Sequence, residues 1–152
     1  MVKSYQGARP KPPKFTEQAL LVKDFMTTRL ICFNPDQPMH EAIQILLEKK
    51  ISGAPVIDKE GALIGVLSEG DCLKEVVKGK YTNTPTLMGT VADYMTEEPV
   101  TIGPNENILE VAKKFLKLRL RRFPVLSEGK LVGQISQRDV MSAIQELKNE
   151  TW

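Results

Sequence analysis

Two stretches of this 152-residue chain match each other. Val22-Lys23-Asp24-Phe25-Met26-Thr27 aligns with Val91-Ala92-Asp93-Tyr94-Met95-Thr96, and the spacing that carries Met26 onto Met95 also carries Pro35 onto Pro104 and Pro55-Val56 onto Pro124-Val125. After the turns Asp58-Lys59-Glu60-Gly61 and Ser127-Glu128-Gly129 the second copy runs one residue shorter. Both then close on matching heptapeptides, Gly65-Val66-Leu67-Ser68-Glu69-Gly70-Asp71 and Gly133-Gln134-Ile135-Ser136-Gln137-Arg138-Asp139. A duplication limits the fold severely. Each copy must be one supersecondary unit, and a surface built by one is built again by the other.

Within each copy the hydrophobic period changes in the same order. A short apolar run (Leu30 to Phe33; Val100 to Ile102) reads as a strand and leads to Asp36 or Asn105, both good helix starters. Met39, Ala42, Ile43, Leu46 and Leu47, matched by Ile108, Val111, Ala112, Phe115 and Leu116, form a stripe of helical period. Two strands joined by a glycine turn follow: Ala54 to Ile57 with Leu63 to Leu67, and Phe123 to Leu126 with Leu131 to Ile135. A last helix leaves from Ser68 or Ser136, with Val140, Ala143, Ile144 and Leu147 as its buried face in the second copy. The fold class is α/β (α+β), two β-α-β-β-α units. One unit alone has too small a sheet to bury much core, so the two are expected to pack as a pseudo-twofold pair.

These patterns divide the chain into a flexible basic tail over 1–14, a first unit over 15–77, a linker over 78–90 and a second unit over 91–149. The tail carries Lys3, Arg9, Lys11 and Lys14 among three prolines and almost nothing apolar. The linker is placed by Gly79, Pro85 and Gly89, which break the period. The 21 basic and 19 acidic residues leave a net charge of +2, too little to make nucleic acid or an anionic membrane the expected partner. No apolar run approaches a bilayer span, and the start lacks the apolar centre of a signal peptide, so the cytoplasm is the expected compartment. Cys32 and Cys72 stand far apart and outside any CxxC arrangement, which points to reduced, packed thiols and away from a metal site.

The repeated Ser-x-x-Asp supports two readings. As structure it is a capping box: the serine caps the helix and the aspartate three residues on reaches back to the cap amide. As chemistry, an open helix N-terminus attracts phosphate and a carboxylate accepts from the two hydroxyls of a ribose, so the same pair describes half of a nucleotide site. Gly65 and Gly133 likewise serve either close approach of a ligand to the strand or tight packing. No catalytic set accompanies them. His40 is the single histidine, and neither Ser68 nor Ser136 has an adjacent base, so the chain is not expected to be an enzyme.

The repeated order of Asp-aromatic-Met-Thr, strand, helix, Pro-Val strand, turn and Gly-h-x-Ser-x-x-Asp resembles the cystathionine-beta-synthase (CBS) domain, present twice between about Val22 and Leu147. The resemblance implies a tandem pair, often a homodimer, that binds adenosine-containing ligands in clefts between the motifs and signals to a regulated protein partner. The implied ligand is an adenine nucleotide, AMP or ATP first, with NAD or S-adenosylmethionine as further candidates and no metal required. One implied cleft joins Ser136 and Asp139 to Thr27, Ile31, Ser52, Gly53 and Ala54. The other joins Ser68 and Asp71 to Thr96, Val100, Leu120, Arg121 and Arg122. Arg138, and Arg119, Arg121 and Arg122 on the preceding segment, make the Ser136 cleft the expected phosphate site, whereas Glu69 would repel phosphate from the other. For these arginines a solvated basic face or a dimer contact is the competing reading. For the whole chain the competing reading is a structural dimerisation module whose clefts are vestigial; nucleic-acid binding through the tail and Arg119 to Arg122 is a third.

Overall fold

The computed structural model describes residues 20–82 and 89–151, so the 1–14 tail and the middle of the expected linker lie outside the described residues. The two helical stripes form as expected. Helix α1 (Met39–Lys49) buries Met39, Ala42 and Leu46, and α4 (Ile108–Leu118) buries Ile108, Val111 and Phe115. Leu47 and Leu116, counted in the same stripes, are instead 73% and 80% exposed. Each lies one position past the last buried residue, about 100° round the helix and off the core face.

The starts of these helices differ from expectation. Asp36 and Asn105 sit in the preceding turn, and the N-cap positions are Pro38 and Asn107, the latter accepting from the Leu109 amide at 2.7 Å. In each turn a side chain closes back on the backbone: the Asn34 amide donates to Gln37 Oε1 (3.3 Å) and the Gly103 amide to Glu106 Oε2 (2.8 Å). Such local bonds favour a turn over a helix, and they delay the first helical residue.

The two hairpins pair as read, β1 (Gly53–Ile57) with β2 (Leu63–Ser68) and β4 (Arg122–Ser127) with β5 (Lys130–Ser136), all antiparallel. Gly61 and Gly129 occupy the left-handed turn positions at φ 84° and 79°. The expected leading strands shrink to a single residue each. Phe33 bridges Val56 and Ile102 bridges Val125 in parallel, and Pro35 and Pro104, two residues on, have no amide to extend either ladder.

Helix α2 (Glu69–Thr82) and helix α5 (Gln137–Thr151) leave from the ends of β2 and β5. The former runs through Lys78, where the linker was expected to begin, because the one glycine there costs only about 1 kcal/mol against alanine. In α5, Val140 and Ala143 face the core, but Ile144 is 43% exposed.

The two copies exchange their leading segments. The 3-10 turn Val22–Asp24 does not pack on the hairpin that follows it in sequence. Leu20 and Val22 lie in a core with Ile108, Phe115, Phe123 and Ile135 of the second copy, with Phe25 and Met26 packed against it. Reciprocally, Val91 at the head of α3 (Val91–Tyr94) joins Phe33, Met39, Val56 and Leu67 of the first copy, with Tyr94 and Met95 alongside. Backbone pairing follows the same exchange: Leu21 bridges Asn107 and Thr27 bridges Gln134, while Thr90 bridges Pro38 and β3 (Thr96–Glu97) adds to β2. Each core is therefore completed by the other copy, which is how two undersized units make stable ones. Cys72 packs into the first core as expected, and both cysteines are free thiols.

Candidate functional site

Both Ser-x-x-Asp pairs form capping boxes. The Ser68 amide and hydroxyl donate to Asp71 Oδ2 at 2.9 and 3.0 Å, and the Asp71 amide donates to Ser68 Oγ at 3.3 Å. At the second junction the Ser136 amide donates to Asp139 Oδ2 (2.9 Å) and the Asp139 amide to Ser136 Oγ (3.2 Å). A third box, Thr90 with Asp93, caps α3 in the same geometry. The box alone is thus a way of starting a helix, and a binding role must come from what surrounds it. Asp71 is the most enclosed of the three, 4% exposed, with Lys74 Nζ at 3.4 Å from its other oxygen. Asp71→Ala is expected to lower stability by about 1–2 kcal/mol in urea denaturation, and Asp139→Ala by less, because Asp139 stands nearer solvent.

A cleft of about 550 Å³ opens beside the first box. It is lined by Ser68, Asp71, Thr96, Val100, Leu120, Arg121 and Arg122, the whole group expected there. The fold explains their meeting. Pairing of β3 with β2 sets Thr96 opposite Val66, two residues from Ser68, and the connection from α4 into β4 supplies the opposite wall. Glu69, Glu98, Arg119 and Ser52 line it too. Glu98 holds a left-handed φ of 52°, which costs a non-glycine residue of order 1 kcal/mol. Its place was not read from the sequence, although the signal was present: its counterpart in the first copy is Arg29, a reversal of charge.

The group expected around Ser136 is only partly assembled. Thr27 pairs with Gln134, two residues before Ser136, and Arg138 lies exposed in the first turn of α5. Ile31, half-buried, is the counterpart of Val100. Ser52 belongs to the other cleft, because its carbonyl accepts from the Glu69 amide (2.9 Å) and its hydroxyl accepts from Arg122 Nη2. The space above Gly53 is filled by Arg122, whose Nη1 would lie 2.6 Å from a Cβ there. Ala54 is not a wall residue: pleat alternation turns it into the first core, 1% exposed and opposite Leu67.

Arg121 and Arg122 line the Ser68 cleft as the resemblance implies, so the charge they were also expected to lend to Ser136 lies on the Ser68 side. Arg119 lines the cleft too, and the backbone of this segment reaches α5, where the Leu120 carbonyl accepts from Gln137 Nε2 (2.9 Å) and the Arg121 carbonyl from the Gln137 amide (3.3 Å). Arg121 Nη1 stands 3.8 Å from Glu69 Oε1. Burial pushes the Arg122 guanidinium below its ordinary value, and Arg121 adds to the effect against the opposing pull of Glu69. A half-buried cation so placed favours a neighbouring anion, and the Glu69 carboxylate already acts as one. Gly65 and Gly133 serve packing: a Cβ would stand 2.7 Å from Met95 Sδ at the first and 2.6 Å from Met26 Sδ at the second. His40 is exposed on α1, away from the cleft lining.

The family model for the CBS domain matches residues 22–78 and 91–146. The chloroplastic CBS domain-containing protein CBSX2 of Arabidopsis thaliana is 31% identical over 156 aligned residues, covering 86% of this chain and 66% of that relative, just under two thirds of its length. The crystal structure of CBSX2 in complex with AMP is similar with a TM-score of 0.76 and 33% identity, over 85% of this chain and 98% of the other. The CBS domain pair of protein MJ0100, in complex with 5'-methylthioadenosine and S-adenosyl-L-methionine, is similar with a TM-score of 0.68 and 25% identity, over 83% and 96%.

Proposed function

Because the chain belongs to the CBS domain family, with two such domains in tandem, we propose that it is a regulatory module that senses adenosine-containing ligands in the clefts between its motifs. The observation that carries this reading is the cleft at Ser68 and Asp71. It combines apolar walls (Val100, Leu120), hydroxyls and a carboxylate at a helix start, and three guanidinium groups. Apolar walls suit an adenine and the carboxylate at the helix start a ribose, while the three arginines share the lining with an equal number of carboxylates, Glu69, Asp71 and Glu98. AMP bound to CBSX2, and the adenosyl compounds bound to MJ0100, support the same ligand class. Binding acts through differential affinity for two arrangements of the motifs, which a partner protein then reads. We read the chain as a binding module and not an enzyme, and place it in the cytoplasm, where its free thiols stay reduced. No described helix is long and apolar enough to cross a membrane.

The test is calorimetry with AMP, ADP, ATP, NAD and S-adenosylmethionine. At least one is expected to bind, and Asp71→Ala with Asp139→Ala to weaken it at least tenfold. Heats of dilution alone for all five would refute the reading. A second reading draws on the capping boxes, in which serine and aspartate already satisfy one another: the clefts are then vestigial and the double variant loses stability only.

Homodimerisation is part of the proposal. Leu47 and Leu116, Leu73 and Met141, and Val76 and Ile144 are paired counterparts, and all six are exposed. The two copies thus present the same apolar positions outward, a surface that a second copy of the chain would cover. Leu116→Glu with Met141→Glu is expected to move the protein, in light scattering, from twice the 17.0 kDa chain mass to a single chain. An unchanged dimer would exclude this face.

A further inference from the structure

The duplication lets each residue of the Ser68 cleft be compared with its counterpart, and the comparison separates the two helix starts by charge. Around Ser68, the bases Arg119, Arg121 and Arg122 share the lining with the acids Glu69, Asp71 and Glu98, a balanced set. Glu69 opens helix α2, at the positive end of the helix dipole where a phosphate would approach, and its carboxylate already stands 3.8 Å from Arg121. A phosphate entering there must displace one carboxylate from an arginine and approach a second on Glu98.

The counterparts are not acidic. Glu69 corresponds to Gln137 and Glu98 to Arg29, while Arg119 corresponds to Lys50. Gly70 corresponds to Arg138, and a Cβ on Gly70 would lie 3.7 Å from Ser68 Oγ. The same geometry at the second junction starts the Arg138 side chain over the Ser136 hydroxyl. Arg29, Lys50 and Arg138 are all exposed, and the one acid at corresponding positions is Asp139. The Ser136 side therefore keeps its positive charge without the carboxylates that offset it at Ser68.

We propose that the two clefts divide ligands by charge: the Ser136 cleft takes a polyphosphate-bearing nucleoside, and the Ser68 cleft takes an adenosyl compound with little or no net negative charge. Glu69 is the residue that sets this specificity. The inference rests on the adenosyl-sensing reading, and the experiment separates the two.

Amide chemical shifts are followed while ATP, and separately uncharged 5'-methylthioadenosine, is titrated into wild type, Glu69→Gln and Glu98→Gln. The Glu69 side chain is 62% exposed, so its substitution leaves packing intact. ATP is expected to shift amides of 136–139 at roughly tenfold lower concentration than those of 68–71, the scale of removing one charge repulsion near the surface. Glu69→Gln, and more weakly Glu98→Gln, should close that gap for ATP and alter 5'-methylthioadenosine binding at Ser68 far less. The inference is overturned if 5'-methylthioadenosine binds but ATP fills both clefts alike or prefers Ser68, or if neither variant alters the ATP response. If neither ligand shifts either set of amides, the adenosyl-sensing reading fails and the inference fails with it.

Discussion

Val22→Asp is expected to lower the unfolding free energy by roughly 4 kcal/mol or more, and to loosen the second copy before the first. Val22 is fully buried, and its neighbours are Ile108, Phe115, Phe123 and Ile135, all of the second motif. A carboxylate there has no counter-charge and must be buried unpaired or drag its segment out of the core, which places the variant among the most damaging single changes. Where the loss occurs is the sharper part of the expectation. Native-state hydrogen exchange should show Phe123 and Ile135 amides losing protection while those of Val56 and Leu67 keep most of theirs. The converse variant, Val91→Asp, should loosen Val56 and Leu67 first. If each substitution instead loosened the hairpin nearest to it in sequence, the exchanged packing would be wrong.

Gly65→Val is expected to cost about 3 kcal/mol, measured by urea denaturation. The obstacle is partly rigid: a Cβ at this position would sit 2.7 Å from Met95 Sδ and 2.9 Å from the Thr96 carbonyl oxygen. Met95 can rotate, but the carbonyl belongs to β3, which pairs with Gly65 itself. Overpacking a well-filled core costs about 1–3 kcal/mol, and displacing a strand adds to it. Met95→Ala in the same chain should recover only part of the loss, since it relieves the thioether and leaves the backbone contact. Full recovery would mean that the side chain alone makes the glycine necessary. Because β3 carries Thr96 into the cleft, the substitution should also weaken any ligand bound beside Ser68.

What could be read from the chain divides along the range of the interactions involved. The hairpins, the stripes on α1 and α4 and the Ser-x-x-Asp caps are local, and each follows from residues a few positions apart. The exchange is not local. Val22 to Thr27 and Val91 to Thr96 carry nearly one pattern, so either copy offers an acceptable seat to either segment, and periodicity cannot choose between them. The glycines posed a similar problem: Gly65 and Gly133 plainly marked close approach, but the approaching group proved to be a methionine from the other motif. Leu47 and Leu116 were legible as apolar and not as outward-facing, since stripe width decides that and one residue moves it about 100°. Arg121 shows the same limit at the site. Its backbone serves α5 and its side chain the Ser68 cleft, so proximity in sequence to the second motif did not fix which cleft it charges. Ser68 and the six residues grouped with it were legible through resemblance to the family, and their meeting depends on the exchanged β3 that sequence alone did not reveal.

The most direct measurement of the central claim is a crystal structure of the protein grown at saturating AMP. An adenosine moiety is expected in a cleft between the motifs, at Ser68 with its base against Val100 and Leu120 or at the corresponding place beside Ser136. Both clefts empty at saturation, or AMP held only on the outer faces of the helices, would contradict it.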